Sequence, residues 1–185
     1  MIQAVVLARK LPLITRCNVS FADGPSLTVT TSYPEQKILG PVLSLDLGSK
    51  RVGVAVSDPT LLAIRRLEVI RRSNWKRLLL DVRELIRRFD AKTLVIGLPL
   101  SLDGNEGSAA KASQEIALKF ARSLALPVYL QDERLTSIEA TERLHAEGLH
   151  AKAVAEQLDS ESAAIILRDF IGGGQQRILI QRPLE

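Results

Sequence analysis

Residues 42–56 read Val42-Leu-Ser-Leu-Asp-Leu-Gly-Ser-Lys-Arg-Val-Gly-Val-Ala-Val56. From Val42 to Leu47 nearly every position is apolar, the pattern of a strand buried on both faces. Gly48-Ser49-Lys50 supplies a tight turn, and Arg51 to Val56 returns as a second strand of small and branched residues. Asp46 interrupts the first strand near its end. A carboxylate there is expensive to desolvate unless it meets a cation or a hydrogen-bond donor. Its place, at the end of a central strand beside a loop, makes it the first candidate for chemistry; the competing reading is an ordinary turn or cap residue.

Composition narrows the chemistry. The chain has 185 residues, 46 % of them apolar, enough for one domain with a real core. No apolar run reaches the roughly 20 residues a membrane-spanning helix needs. Cys17 is the only cysteine, so intrachain disulfides and cysteine-based zinc sites are excluded. His145 and His150 are the only histidines, so a metal would be held mostly by oxygen. Net charge is +4 and unevenly spread: Arg65–Lys92 holds ten basic and four acidic residues, whereas Leu130–Ser162 holds three basic and eight acidic. A basic half suits a polyanion and an acidic half suits cations. Aromatics are 4 % of the chain, too few for base stacking to dominate, so recognition through phosphates and shape is expected.

The rest of the chain falls into alternating elements. Residues 1–41 read as an N-terminal extension, poorly ordered or the product of an upstream start, with a short strand at Ser26–Ser32 and no identifiable chemistry. Arg9, Lys10 and Arg16 break its apolar patch, which argues against a secretory signal. Leu62–Arg71 reads as a third strand. Asn74 is an N-cap for a helix whose apolar stripe is Trp75, Leu78, Leu79, Val82, Leu85, Ile86 and Phe89. Thr93–Leu98 is a fourth strand ending at Pro99, and Ser101–Gly107 a polar loop. Ser108–Ser123 is a second helix, and Pro127–Gln131 a fifth strand leading into Asp132-Glu133-Arg134. The capping box Thr136-Ser-Ile-Glu139 starts a third helix that stops at Gly148. A last helix covers at least Ser160–Phe170, from as early as Lys152, and ends at Gly172-Gly-Gly174. Residues 42–171 form the domain and 172–185 a tail in which Arg177–Ile180 is a candidate edge strand. The fold class is α/β, a five-stranded mixed sheet flanked by helices.

Right-handed crossovers bring the ends of strands one, four and five to one rim. Asp46, one of the neighbours Asp132 and Glu133, and Asp159 can then converge. Asp132 and Glu133 point to opposite faces if extended, so only one of them faces the site. Asp159 reads equally as a helix N-cap. Three converging carboxylates would make a hard-ligand site for Mg²⁺ or Mn²⁺. Two such ions about 4 Å apart activate water and stabilise the leaving oxygen in phosphodiester cleavage.

Four motifs carry a family resemblance. They are Leu45-Asp-Leu-Gly-Ser-Lys-Arg-Val-Gly-Val-Ala55, Val95-Ile-Gly-Leu-Pro-Leu-Ser-Leu-Asp-Gly104, Gln131-Asp-Glu-Arg-Leu-Thr-Ser137 with Glu139-Ala140, and Asp159 with Ala163-Ala-Ile-Ile-Leu167. In this order they resemble the YqgF family, also described as Holliday junction resolvases and pre-16S rRNA nucleases. The resemblance implies an RNase H-like fold and a divalent-metal phosphodiesterase in a bacterial cytoplasmic or organellar setting. By motif it places Asp46, Glu133 and Asp159 as catalytic and metal-binding residues. Lys50, Arg51 and Arg134 are candidate phosphate contacts, against the plainer readings of solvated turn residues and, for Arg134, a structural ion pair.

The expected activity is a metal-dependent nuclease on structured nucleic acid, acting in 5′-end processing of pre-16S rRNA. Cleavage of four-way DNA junctions is the alternative with the same chemistry, and would require two sites in a dimer. No dimerisation signature is evident, so the chain reads as a monomer or weak homodimer without a membrane partner. A non-catalytic nucleic-acid-binding module is a reading of another class. An ATP-binding actin-like protein is disfavoured, because only one lobe is present and no glycine-rich phosphate loop.

Overall fold

A computed structural model of the chain describes residues 16–19, 27–30, 38–100, 107–133, 141, 143–144, 146, 151–173 and 177–180; for 16–19, 27–30 and 151–156 it describes the backbone alone. β1 (Arg16–Val19) and β2 (Leu27–Thr30) pair antiparallel as a separate two-stranded sheet. β3 (Val42–Leu47) and β4 (Arg51–Ser57) form the hairpin read from residues 42–56, with Leu43 opposite Val56 and Asp46 opposite Gly53.

The expected third strand is split. β5 (Ile64–Arg66) and β6 (Ile70–Arg71) both pair with β4, but in registers that differ by one residue: Ala55 faces Arg66, whereas Val52 faces Ile70. One extra residue is accommodated between them, as in a β-bulge. The bulge leaves the Leu67 carbonyl to accept a hydrogen bond from Ser160 Oγ at 2.7 Å.

Helix α1 (Trp75–Phe89) starts where the sequence indicates, with Asn74 Oδ1 accepting from the Arg77 amide at 3.0 Å. Strand β7 (Thr93–Leu98) follows, then α2 (Ser108–Ser123), β8 (Val128–Asp132), α3 (Ala151–Gly172) and β9 (Arg177–Ile180). Gly173 leaves α3 at φ +71°, a conformation that favours glycine. The main sheet runs β5-β4-β3-β7-β8-β9, with β6 also on β4. β3, β7 and β8 are parallel, and the other pairs are antiparallel. This is the expected mixed sheet flanked by helices, with seven strands in place of five. The split of the third strand adds one, and β9, pairing with β8, adds the other.

Residue parity assigns each strand face. Leu43 and Leu45 of β3, Val52 and Val54 of β4, Leu94 and Ile96 of β7, and Val128 and Leu130 of β8 pack in the core beneath α1 and α2. Trp75 of α1 meets Phe120 of α2 edge-on, with ring centroids 4.8 Å apart. The opposite parity, Val42, Ala55, Val95 and Tyr129, packs against Ala163, Ala164, Ile166, Leu167 and Phe170 of α3. Small residues at 163 and 164 let α3 lie close across β4 and β3. The Thr136–Gly148 helix and the Ser101–Gly107 loop fall mostly outside the described residues; within the former, residues 141, 143, 144 and 146 are helical.

Candidate active site

Asp46 shares the parity of Val42 and Ser44, so it lies on the α3 face of β3. Its cross-strand partner on β4 is Gly53. A Cβ at position 53 would sit 1.8 Å from the backbone oxygen of Asp159. The absence of a side chain at Gly53 therefore lets the α3 backbone press onto β4 beside Asp46. Asp159 stands inside α3, eight residues beyond its first residue, so its alternative reading as an N-cap is corrected.

Glu133 arrives from the other side. Its amide donates to the Leu98 carbonyl at 3.2 Å, continuing the β7–β8 pairing by one residue. With Tyr129 facing α3, alternation turns Glu133 to that face and Asp132 away from it. Glu133 lies over Gly97: a Cβ there would sit 1.9 Å from Glu133 Oε2 and 2.7 Å from Ile166 Cδ1. Gly97 thus makes the slot for this carboxylate, a role the sequence shows only as a glycine inside a strand.

The electrostatics reflect this convergence. Burial, and then the negative charge of Asp159, push the Asp46 carboxyl up to about 6. Burial, then Asp46, then Asp132, push Glu133 up to about 8. Both carboxyls are therefore held in surroundings that penalise their charged forms. Asp159 carries its own counter-charge: Arg51 Nε lies 2.7 Å from Oδ2, although that buried oxygen receives no well-aligned hydrogen bond. Among the described residues, no three His, Cys, Asp or Glu side chains stand together at metal-ligand spacing. The donor set nevertheless suits a hard cation, being all carboxylate and crowded with like charge.

Of the three phosphate-contact candidates, Lys50 is exposed in the β3–β4 turn and Arg51 reaches Asp159. Arg134 lies outside the described residues. The sequence reading missed Arg72, which braces the turn. Its Nη1 donates to Gly48 O at 2.8 Å and its amide to Lys50 O at 2.9 Å. It also missed Arg66, whose Nη1 lies 3.0 Å from Oε2 of the buried Glu161 and ties β5 to α3. Neither contact has a local spacing that would have signalled it.

A family model described as "RuvX: Holliday junction resolvase" matches residues 40–172. The chain belongs to this family. It is the family that the four motifs resemble under the name YqgF. A relative from Anaeromyxobacter sp. (strain Fw109-5), named "Putative pre-16S rRNA nuclease", is 38 % identical over 131 residues, covering 71 % of this chain and 96 % of the relative. A relative of the same name from Gloeothece citriformis (strain PCC 7424) is 39 % identical over 139 residues, covering 75 % and 92 %. Among solved structures, T. thermophilus RuvC in complex with Holliday junction substrate aligns with a TM-score of 0.48 at 16 % identity, covering 74 % of this chain and 98 % of that one. Among the described residues, no helix of this RuvX-family chain is long and apolar enough to cross a membrane.

Proposed function

We propose that this RuvX-family nuclease hydrolyses phosphodiester bonds of structured RNA in the cytoplasm, with 5′-end processing of pre-16S rRNA as its natural task. Asp46, Glu133 and Asp159 would hold the divalent cation, Mg²⁺ or Mn²⁺. Such an ion polarises a phosphoryl oxygen and supplies a water acidic enough to attack. The observation that carries this reading is that the half-buried carboxylates of Asp46 and Glu133 face like charge on one sheet face. Like charges crowded together in this way repel one another, and a divalent cation would relieve that repulsion.

The chain's own residues have separate tasks. Asp46 and Asp159 are the anchors, brought together through Gly53. Glu133, with its proton affinity raised, would orient water and take up its proton. Arg51 neutralises Asp159 and, on this reading, would contact the substrate phosphate. Lys50 and Arg134 are further phosphate contacts on this reading. The name of the matching family favours a second reading, cleavage of four-way DNA junctions at the same site, with two chains acting symmetrically.

The test is incubation of the protein with precursor 16S rRNA and with a four-way DNA junction, in Mg²⁺ or Mn²⁺, beside Asp46→Asn. Cleavage of the RNA by the parent alone supports the proposal. Cleavage of the junction alone supports the second reading. An Asp46→Asn protein that cuts either substrate as fast as the parent refutes the assigned site.

A further inference from the structure

The outer edge of the sheet carries a feature that the catalytic rim does not use. Between β5–β6 and α1 lies a cleft of about 600 Å³ lined by Arg65, Arg66, Arg71, Arg77 and Arg88. Glu68, Asp81 and Glu84 also line it, leaving an excess of two positive charges. Two of these carboxylates are already matched: Asp81 pairs with Arg77 at 3.1 Å, and Glu84 with Arg87, outside the cleft, at 2.7 Å. Among the described residues, Arg65 and Arg71 have no carboxylate within ion-pair distance, and both are exposed. Arg88 is exposed as well, its guanidinium lying 5.3 Å from the centre of the Phe89 ring.

The cleft lies under α1 at the β5–β6 edge of the sheet, and the carboxylates lie on the opposite, α3 face near that edge. Arg71 of β6 is the direct cross-strand partner of Arg51 of β4, and Arg51 touches Asp159. Residues paired in this way have Cα atoms about 5 Å apart. A polyanion entering over Asp46 and Asp159 would meet Arg71 one strand further out and reach Arg65, opposite Val56, and Arg88 only by passing round the β5–β6 edge to the α1 face. Guanidinium forks match phosphate oxygens two at a time. Among the described residues the cleft has one ring, Phe89, which is half-buried against the core beneath a guanidinium and so offers no stacking platform of the kind unpaired bases use.

We propose that this cleft binds the sugar–phosphate backbone of a duplex arm of the substrate, next to the cleavage site, through Arg65, Arg71 and Arg88. The proposal rests on the nuclease reading for its substrate but not for its test, which measures binding without cleavage. The full chain, in EDTA, is titrated against labelled duplex DNA, duplex RNA and single strands over a series of salt concentrations. Arg65→Gln/Arg71→Gln/Arg88→Gln is compared with the parent, and with Lys111→Gln/Lys119→Gln/Arg122→Gln on α2, which loses the same charge outside the cleft.

Each phosphate contact to B-DNA contributes about 0.9 to the slope of log affinity against log salt. The cleft variant should therefore lose about 2 to 3 from the duplex slope, and the α2 variant less than about 1. A loss in either duplex arm supports the proposal, and the arm with the larger loss identifies the polymer. An unchanged slope in the cleft variant, an equal loss in the α2 variant, or a loss confined to single strands overturns it. Thermal melts of both variants establish that they are folded. Cleavage that fails while this slope difference persists would count against the catalytic reading alone.

Discussion

Asp46→Asn should stabilise the protein in EDTA while removing its activity, a pairing of effects expected when a half-buried carboxylate is kept for a ligand. The Asp46 carboxyl is raised from 3.8 to about 6, first by burial and then by Asp159. A group raised in this way costs nothing where it is protonated in both folded and unfolded chains, below about pH 4. The cost grows as pH rises towards 6 and is complete above it, on the order of 3 kcal/mol. An amide of the same shape also loses water on burial, which returns about 1 kcal/mol of the gain. The net expectation is about 2 kcal/mol of added stability at pH 8, or about 4–8 °C in Tm for a chain of this size. At pH 4 that gain should vanish, leaving the variant level with the parent or slightly below it. Thermal unfolding in EDTA at both pH values reads this directly, and cleavage assays with Mn²⁺ supply the other half. Loss of a cation ligand should slow cleavage about a thousandfold. Asp46→Asn melting below the parent at pH 8, or shifting equally at both pH values, would refute the account of a desolvated, charge-crowded site.

Gly97→Ala should fold but lose cleavage, because its methyl group displaces the Glu133 carboxylate and Ile166 Cδ1, both ends of flexible side chains; a stability loss of about 1–3 kcal/mol is expected from denaturant titration. Gly53→Ala meets the α3 backbone itself, so its loss should exceed that of Gly97→Ala in the same titration. Arg51→Gln should tighten Mn²⁺ binding about two- to fivefold by calorimetry, since a part-exposed ion pair no longer competes; weaker binding would contradict the assignment. Mn²⁺ affinity should fall as pH drops from 8 to 5, by about tenfold per pH unit for each proton displaced, because raised Glu133 and Asp46 hold protons that compete with the cation. A pH-independent affinity would place the cation elsewhere.

The hairpin at residues 42–56, the β7 strand and the limits of α2 were legible because their periodicity is local and undisturbed. The choice between Asp132 and Glu133 was not. β8 is buried on both faces, so its apolar run hides the parity that only packing against α3 reveals. The break in the third strand was hidden for a related reason. Leu67-Glu-Val69 keeps strand-forming character, and the bulge shows only in the change of register against β4, where Leu67 meets Ser160 of a helix ninety-three residues away. Gly53 and Gly97 stood out as glycines within strands, but what approaches each of them is distant in sequence. Arg51 was expected at a phosphate, whereas the structure places it on Asp159.

Anomalous diffraction from crystals of the protein soaked in Mn²⁺ tests the central claim most directly. The account predicts manganese bound by Asp46 and Asp159 beside Glu133, with the Arg51 guanidinium displaced from Asp159. Manganese bound only elsewhere, or Arg51 still seated on Asp159 with no ion between the carboxylates, would contradict it.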